Sequence, residues 1–287
     1  MPENPPPSSD YPPEHHILRD LEMVNERPER GWAISRVPLS PAVLAPSGIA
    51  RLGIIGVTAD AAGALTALIE ALPDRIATQD LSYTASGFAR QGPLIASCRL
   101  VRAGQRLITV AATVADGCGS DDPDQAQPIG QAILSFSLIP NRPGYDDLSP
   151  LQDPAMERRE LGLATSGFGD ASLWDAIGLD VVDAAAGVVQ VPKTDYVRNS
   201  FGTITGGVMI MAAEAAGELA AQEALGAPVA AMSLNYRFLD QTRIGPAQTQ
   251  TTVLRHDDRG AVAIVRLVDS QRDRNLAGYA VIQFAVL

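Results

Sequence analysis

The sequence predicts an α+β protein built twice over. Three observations predict it: residues matched between the halves at a near-constant offset, the same order of elements in each half, and one long apolar helix in each. Tyr83 matches Tyr236, Gly92-Pro93 matches Gly245-Pro246, Arg102 matches Arg255, Arg106 matches Arg259 and Asp116 matches Asp269, all 153 residues apart. Upstream the offset is 154, matching Val37-Pro38 to Val191-Pro192 and Asp60 to Glu214. Phe136 matches Phe284 at 148, the difference falling in the loop between Asp116 and Pro128. Ordered matches at one spacing are the mark of an internal repeat.

Taken in order, residues 1–13 hold six prolines and read as extended or disordered. Ile17, Leu18, Leu21 and Val24 fall at helical spacing, which predicts a short helix over 14–28 that Pro28 ends. Trp32 to Val37 alternates as a strand. Ile54 to Leu72 reads as a helix closed by Pro73, with Asp60 and Glu70 its only charges. Ile76–Tyr83, Pro93–Val101, Gln105–Ala115 and Gln131–Ile139 read as strands, with a hairpin turn over Arg102–Gln105. Residues 141–170 read as a linker with a short helix near Met156–Leu161, and Leu173–Leu179 carries no decisive pattern. Gly187–Val191 is a strand, a helix follows from Gly206 to about Leu225, and Val229–Phe238, Ala247–Leu254, Ala261–Asp269 and Ala277–Val286 are strands. The expected division is a proline-rich tail and short helix (1–29), an N-terminal repeat (30–140), the linker, and a C-terminal repeat (171–287).

Composition narrows the function. The chain has 287 residues, 46% hydrophobic but only 5% aromatic, so its core must be aliphatic and alanine-rich. A formal net charge of −11 argues against nucleic acid, which needs a basic surface. Cys98 and Cys118 are too few for a disulfide framework or a zinc site, and His15, His16 and His256 are the only histidines, so no metal is implied. The start lacks the apolar segment of a signal peptide, and no apolar run is read as reaching the ~20 residues that span a bilayer. A soluble, cytoplasmic protein with no membrane partner is expected.

The most informative stretch runs from Asn199 to Glu214. Gly206-Gly207 opens a helix of small and apolar residues, where a ligand can approach free N–H groups. Glu214, two turns in, must be neutral, paired or functional, because burying a lone charge is costly. Asn, a glycine pair seven residues on, and an acid seven residues beyond that resemble the hotdog-fold acyl-CoA thioesterases of the phenylacetate-pathway type. Thr205 stands where that family has His.

The resemblance covers roughly residues 30–287 and implies that a curved antiparallel sheet wraps each helix. It implies that two such repeats pair within the chain as an intrachain pseudo-dimer, and that the active site lies between them. The complementary pieces fall in opposite halves. Asn199, Gly206 and Gly207 of the second half would face Asp60 and Thr78 of the first, with Gln79 and Thr205 beside the substrate. A second, degraded site would join Arg51 and Gly53 to Glu214. The chemistry implied is hydrolysis of an acyl-CoA thioester: Asp60 activates water or attacks the carbonyl, Gly206 N–H stabilises the oxyanion, Thr78 orients Asp60, and Asn199 holds carbonyl or water. Coenzyme A enters only as part of the substrate; no cofactor is implied.

Plainer readings stand beside these. Asp60 can be a helix-dipole charge, Glu214 a partner of Arg51, Asn199 a turn residue and Thr78 an ordinary strand residue. The paired arginines Arg102/Arg106 and Arg255/Arg259 can meet coenzyme A phosphates or be solvated turn charges. A non-catalytic acyl-CoA or acyl-ligand binding protein is the main alternative function. A hotdog dehydratase lacks a placed histidine, and a purely structural module predicts no tunnel between the halves. Association of such chains into a homo-oligomer is compatible with the resemblance and the acidic surface.

Overall fold

The computed structural model describes residues 11–142, 148, 153–162 and 167–287. Two long helices organise it: α2 (Leu52–Ala71) and α4 (Gly206–Leu225), with α1 (Ile17–Asp20) and α3 (Leu173–Ala176) as short turns that precede them in each half. α2 ends because Leu72, extended ahead of Pro73, cannot continue it. α4 ends on Gly226, whose φ of 63° is the left-handed cap that glycine supplies without strain.

The first half contributes strands β1 (Val24–Glu29), β2 (Trp32–Val37), β3 (Arg75–Ala85), β4 (Leu94–Ala103), β5 (Leu107–Asp116) and β6 (Gln127–Ile139). β7 (Met156–Glu160) follows. The second half contributes β8 (Asp180–Asp183), β9 (Val188–Val191), β10 (Val229–Phe238), β11 (Ala247–Asp257), β12 (Gly260–Asp269) and β13 (Asn275–Val286). Among the described residues these form one antiparallel sheet in the order β7-β1-β2-β4-β5-β6-β3-β10-β13-β12-β11-β9-β8. From the central β3–β10 pair outward, the two sides run through corresponding strands. That pair joins the halves, with Leu81 opposite Tyr236 and Tyr83 opposite Leu234.

Each helix packs against its own half of the sheet. Gly63 of α2 lets the Phe136 ring come within 3.1 Å of where a Cβ would be, and Gly217 of α4 does the same for Phe284 at 2.9 Å. α2 and α4 also touch each other. A Cβ on Gly56 would meet Ile210 at 3.0 Å, and one on Gly207 would meet Val57 at 2.7 Å. Neither Gly206 nor Gly207 has positive φ; the tight turn before α4 is made by Gly202, at φ 73°. The glycine pair therefore serves close packing rather than a tight turn.

Three expectations are corrected. The helix over 14–28 is only Ile17–Asp20: Glu22 takes φ 49°, which breaks it, and Val24 already belongs to β1. The helix near Met156–Leu161 is the strand β7, which returns to the first half and pairs with β1, so this part of the expected linker is built into the sheet. α2 is long and apolar enough to cross a bilayer, contrary to the reading that no run approaches that length, but in this fold it is mostly buried as a core helix.

Candidate functional site

A cavity of about 420 Å³ opens between the two halves, and both contribute to its wall. From α2 come Val57, Asp60 and Ala64, and from β3 comes Thr78; the second half supplies Asn199, Thr205 and Gly206. Asp60 lies in the third turn of α2, too far from the helix start to serve as a dipole charge there. Its Oδ1 accepts a hydrogen bond of 2.8 Å from the Thr78 hydroxyl. Burial pushes the Asp60 carboxyl up to about 6, against the downward pull of that hydrogen bond.

The start of α4 faces the same cavity. Thr205 caps it in an extended conformation, with no hydrogen bond from its side chain to the helix. Among the described residues the N–H groups of Gly206 and Gly207 have no protein acceptor. These are orphan donors at the positive end of a helix, the kind of group that binds a developing oxyanion. Gly206 has no room for a side chain, because a Cβ would stand 2.9 Å from the Phe238 ring.

Asn199 lines the cavity, but its amide is largely engaged in its own loop. Oδ1 accepts from the N–H groups of Phe201 and Thr203 at 3.0 and 3.1 Å, and Nδ2 donates to the Thr203 hydroxyl at 2.9 Å. It holds the loop that leads into α4, which is the turn reading, and one amide N–H remains for a ligand.

One expected site residue lies elsewhere. Gln79 is exposed, its Oε1 accepting from the Ser137 hydroxyl at 2.8 Å. A bulge between Thr78 and Asp80 turns it to the outer face. Arg51 belongs to the matched place at the start of α2. There it pairs with Glu218 at 3.2 Å and lies 4.2 Å over the Trp174 ring.

That matched place is closed. Glu214 accepts from the N–H groups of Leu52 and Gly53 at 2.6 and 2.7 Å, so its carboxylate occupies the donors that are free at α4. Burial pushes the Glu214 carboxyl up to about 7, opposed chiefly by the nearby Arg51 guanidinium. A cavity of only about 20 Å³ is left beside Arg51, Leu52 and Glu214. Glu214, which the resemblance put in a second, degraded site, thus plugs that site, and Arg51 pairs with Glu218 rather than with Glu214. Glu218 escaped the sequence reading. Its signal was its position four residues after Glu214 on one helix face, opposite Ala64 in the open half. Tyr11 and Leu18 also line the open cavity and were missed: Tyr11 lies in a proline-rich segment that gives no periodicity, and the helical spacing of Leu18 marks a packed face without saying what it faces.

The class of protein is defined by an acid on one helix, held by a strand hydroxyl, in a cavity shared with the bare N-terminus of a second helix, inside a sheet that wraps both. Solved structures that share this fold include proteins named as thioesterases. The chain superposes on a protein assigned as a thioesterase II of Thermobifida fusca with a TM-score of 0.62 at 15% identity, covering 95% of this chain and 97% of that one. A tesB protein of Mycobacterium avium subspecies paratuberculosis gives 0.62 at 14% identity, covering 94% and 98%. An acyl-ACP thioesterase of Bacteroides thetaiotaomicron gives 0.54 at 10%, covering 88% and 98%. The chain shares its hotdog-type fold with these proteins. No protein-family model matches the sequence, and no curated protein does.

Proposed function

We propose that this protein hydrolyses acyl thioesters, acyl-CoA among them, at one site between its halves. The observation that carries the reading is Asp60, anchored by Thr78, in the same cavity as the unengaged N–H groups of α4. Asp60 as carboxylate takes a proton from water while the water oxygen bonds to the thioester carbon. The oxyanion is held by Gly206 N–H; the carbon–sulfur bond then breaks, and the thiolate leaves to be protonated. One preorganised donor of this kind contributes about 3 kcal/mol to the transition state.

We read the chain as two fused repeats, 30–140 and 171–287, paired as an intrachain pseudo-dimer. Support comes from the mirrored strand order and from helices that begin 154 residues apart, at Leu52 and Gly206. Residue 24 onward joins the first unit, and so does β7. Affinity to the phenylacetate-pathway type rests on the Asn199–Glu214 spacing.

The test is release of free thiol from short, medium, long-chain and aryl acyl-CoAs by wild type and Asp60→Asn. We expect turnover in the wild type and a loss of about 10²–10⁴-fold in the variant. Binding without turnover would overturn the hydrolase reading in favour of an acyl-ligand carrier, the reading that the tied amide of Asn199 favours.

A further inference from the structure

α1 and α3 occupy matched places 156 residues apart, one beside each site. Ile17 and Leu21 are 1% and 2% exposed, and their counterparts Leu173 and Ile177 are 0% and 2%. Leu18 corresponds to Trp174. At the closed site Trp174 lies over Arg51 and helps to fill the space. At the open site Leu18 is smaller, Ala64 stands where Glu218 would be, and the cavity remains.

The open site has one further wall with no counterpart. Tyr11 lines the cavity, whereas the residue 156 positions on is Gly167. The segment that carries Tyr11 is tied down. The Arg19 guanidinium donates to the carbonyls of Pro13 and Pro12 at 2.8 and 2.9 Å. The Tyr11 ring meets His16 edge-on at 5.2 Å. His16 Nε2 bonds to the Arg198 carbonyl at 2.9 Å, on the loop that leads into Asn199. The phenol is enclosed beside Asp60: burial, and then the charge of Asp60, hold its hydroxyl well above the usual range. The N-terminal segment of one half therefore closes a cavity whose oxyanion donors come from the other half.

We propose that Tyr11 is a specificity-determining residue of this cavity: its ring is the wall that stops the acyl group and restricts the protein to medium-length straight-chain acyl thioesters. This rests on the acyl-thioester reading of the site. The cavity of about 420 Å³ is at the small end for ligand sites; Val57, Ala61, Ala64 and Ile76 make its aliphatic wall, and the rings of Phe136, Phe201 and Phe238 join Tyr11 in lining it. Replacing the phenol by a methyl group lengthens the space by several methylenes. Each methylene sheltered from water contributes about fourfold to binding.

The experiment measures kcat/KM and Kd over straight-chain acyl-CoAs from butanoyl to hexadecanoyl for wild type, Tyr11→Ala, Tyr11→Phe and Tyr11→Trp, with Tm for each. We expect Tyr11→Ala to move the optimum to longer chains and to raise the long-to-medium ratio about tenfold or more. Tyr11→Trp should move it to shorter chains, and Tyr11→Phe should leave it in place. An unchanged optimum in both Tyr11→Ala and Tyr11→Trp, at wild-type Tm, overturns the proposal. Absence of turnover in the wild type overturns the hydrolase reading alone, because chain-length dependence in Kd still reports on Tyr11. A flat Kd profile in every variant then overturns the Tyr11 assignment as well.

Discussion

At the residue scale, Asp60 carries both the proposed chemistry and a cost. Its folded-state value near 6 lies above the 3.8 of a free aspartate, so ionisation is the unfavourable direction in the fold. The protonated form contributes its full stabilisation below about pH 4, and that contribution is gone once pH has risen through about 6. At pH 8 Asp60→Asn should therefore be more stable than wild type, by about 1–3 kcal/mol, although inactive. Chemical denaturation at pH 4 and pH 8 checks this: the gain should appear only at the higher pH. Thr78 acts through Asp60. Its hydrogen bond favours the carboxylate, so Thr78→Val should move the acid limb of the pH–rate profile upward and lower kcat about tenfold. A reduced kcat with an unmoved pH profile would make Thr78 a packing residue only.

At the element scale, the matched aspartates Asp116 and Asp269 hold matched loops in the two halves. Asp116 accepts N–H bonds from Arg90, Gln91, Gly92 and Cys118 at 2.7 to 3.0 Å. Asp269 accepts from Arg243, Ile244 and Gly245 at 2.8 to 3.0 Å. Each carboxylate ends a strand and gathers the loop that enters the neighbouring strand, β4 or β11. Partial burial acts upward on Asp116, but its four backbone donors outweigh that and hold it below the usual carboxylate range. The stability it supplies is present above about pH 4 and is lost as pH falls below that. Asp116→Asn and Asp269→Asn each put an amide N–H₂ among N–H donors, so each should cost about 2–3 kcal/mol at pH 7. Thermal melts of the two variants should show similar drops; a drop confined to one half would mean that the loops are not equivalent supports.

At the scale of the whole molecule, the matched places in the two halves differ: one is open and one is closed. The same helix-start donors are bare at Gly206 and Gly207 but bonded to Glu214 at Leu52 and Gly53. One chain should therefore bind one acyl ligand, and calorimetry with a slowly hydrolysed acyl-CoA analogue should give a stoichiometry near one. Glu214→Gln replaces one acceptor oxygen by a donor facing an N–H. It should lower stability by about 1–3 kcal/mol while changing kcat by less than about twofold. Losses of turnover in Glu214→Gln equal to those in Asp60→Asn would sink the single-site view.

The sequence by itself determined the two long helices and ten of the strands around them, whereas the facing of Asp60 and Thr78 to Gly206 was an implication of the family resemblance. Apolar periodicity marks buried elements, and a repeat offset transfers positions between halves. It did not determine β1, β7 and β8, because edge strands such as Met156–Glu160 are charged and held by backbone hydrogen bonds that leave no apolar pattern. Only the tertiary structure decided that Gly206 and Gly207 are packing glycines, that a bulge turns Gln79 outward, that Glu214 takes up the helix-start donors of Leu52 and Gly53, and that Tyr11 lines the open cavity. Each of these depends on which distant side chain comes to lie opposite. That is set by how the two helices cross and how β3 meets β10, not by any local run of residues.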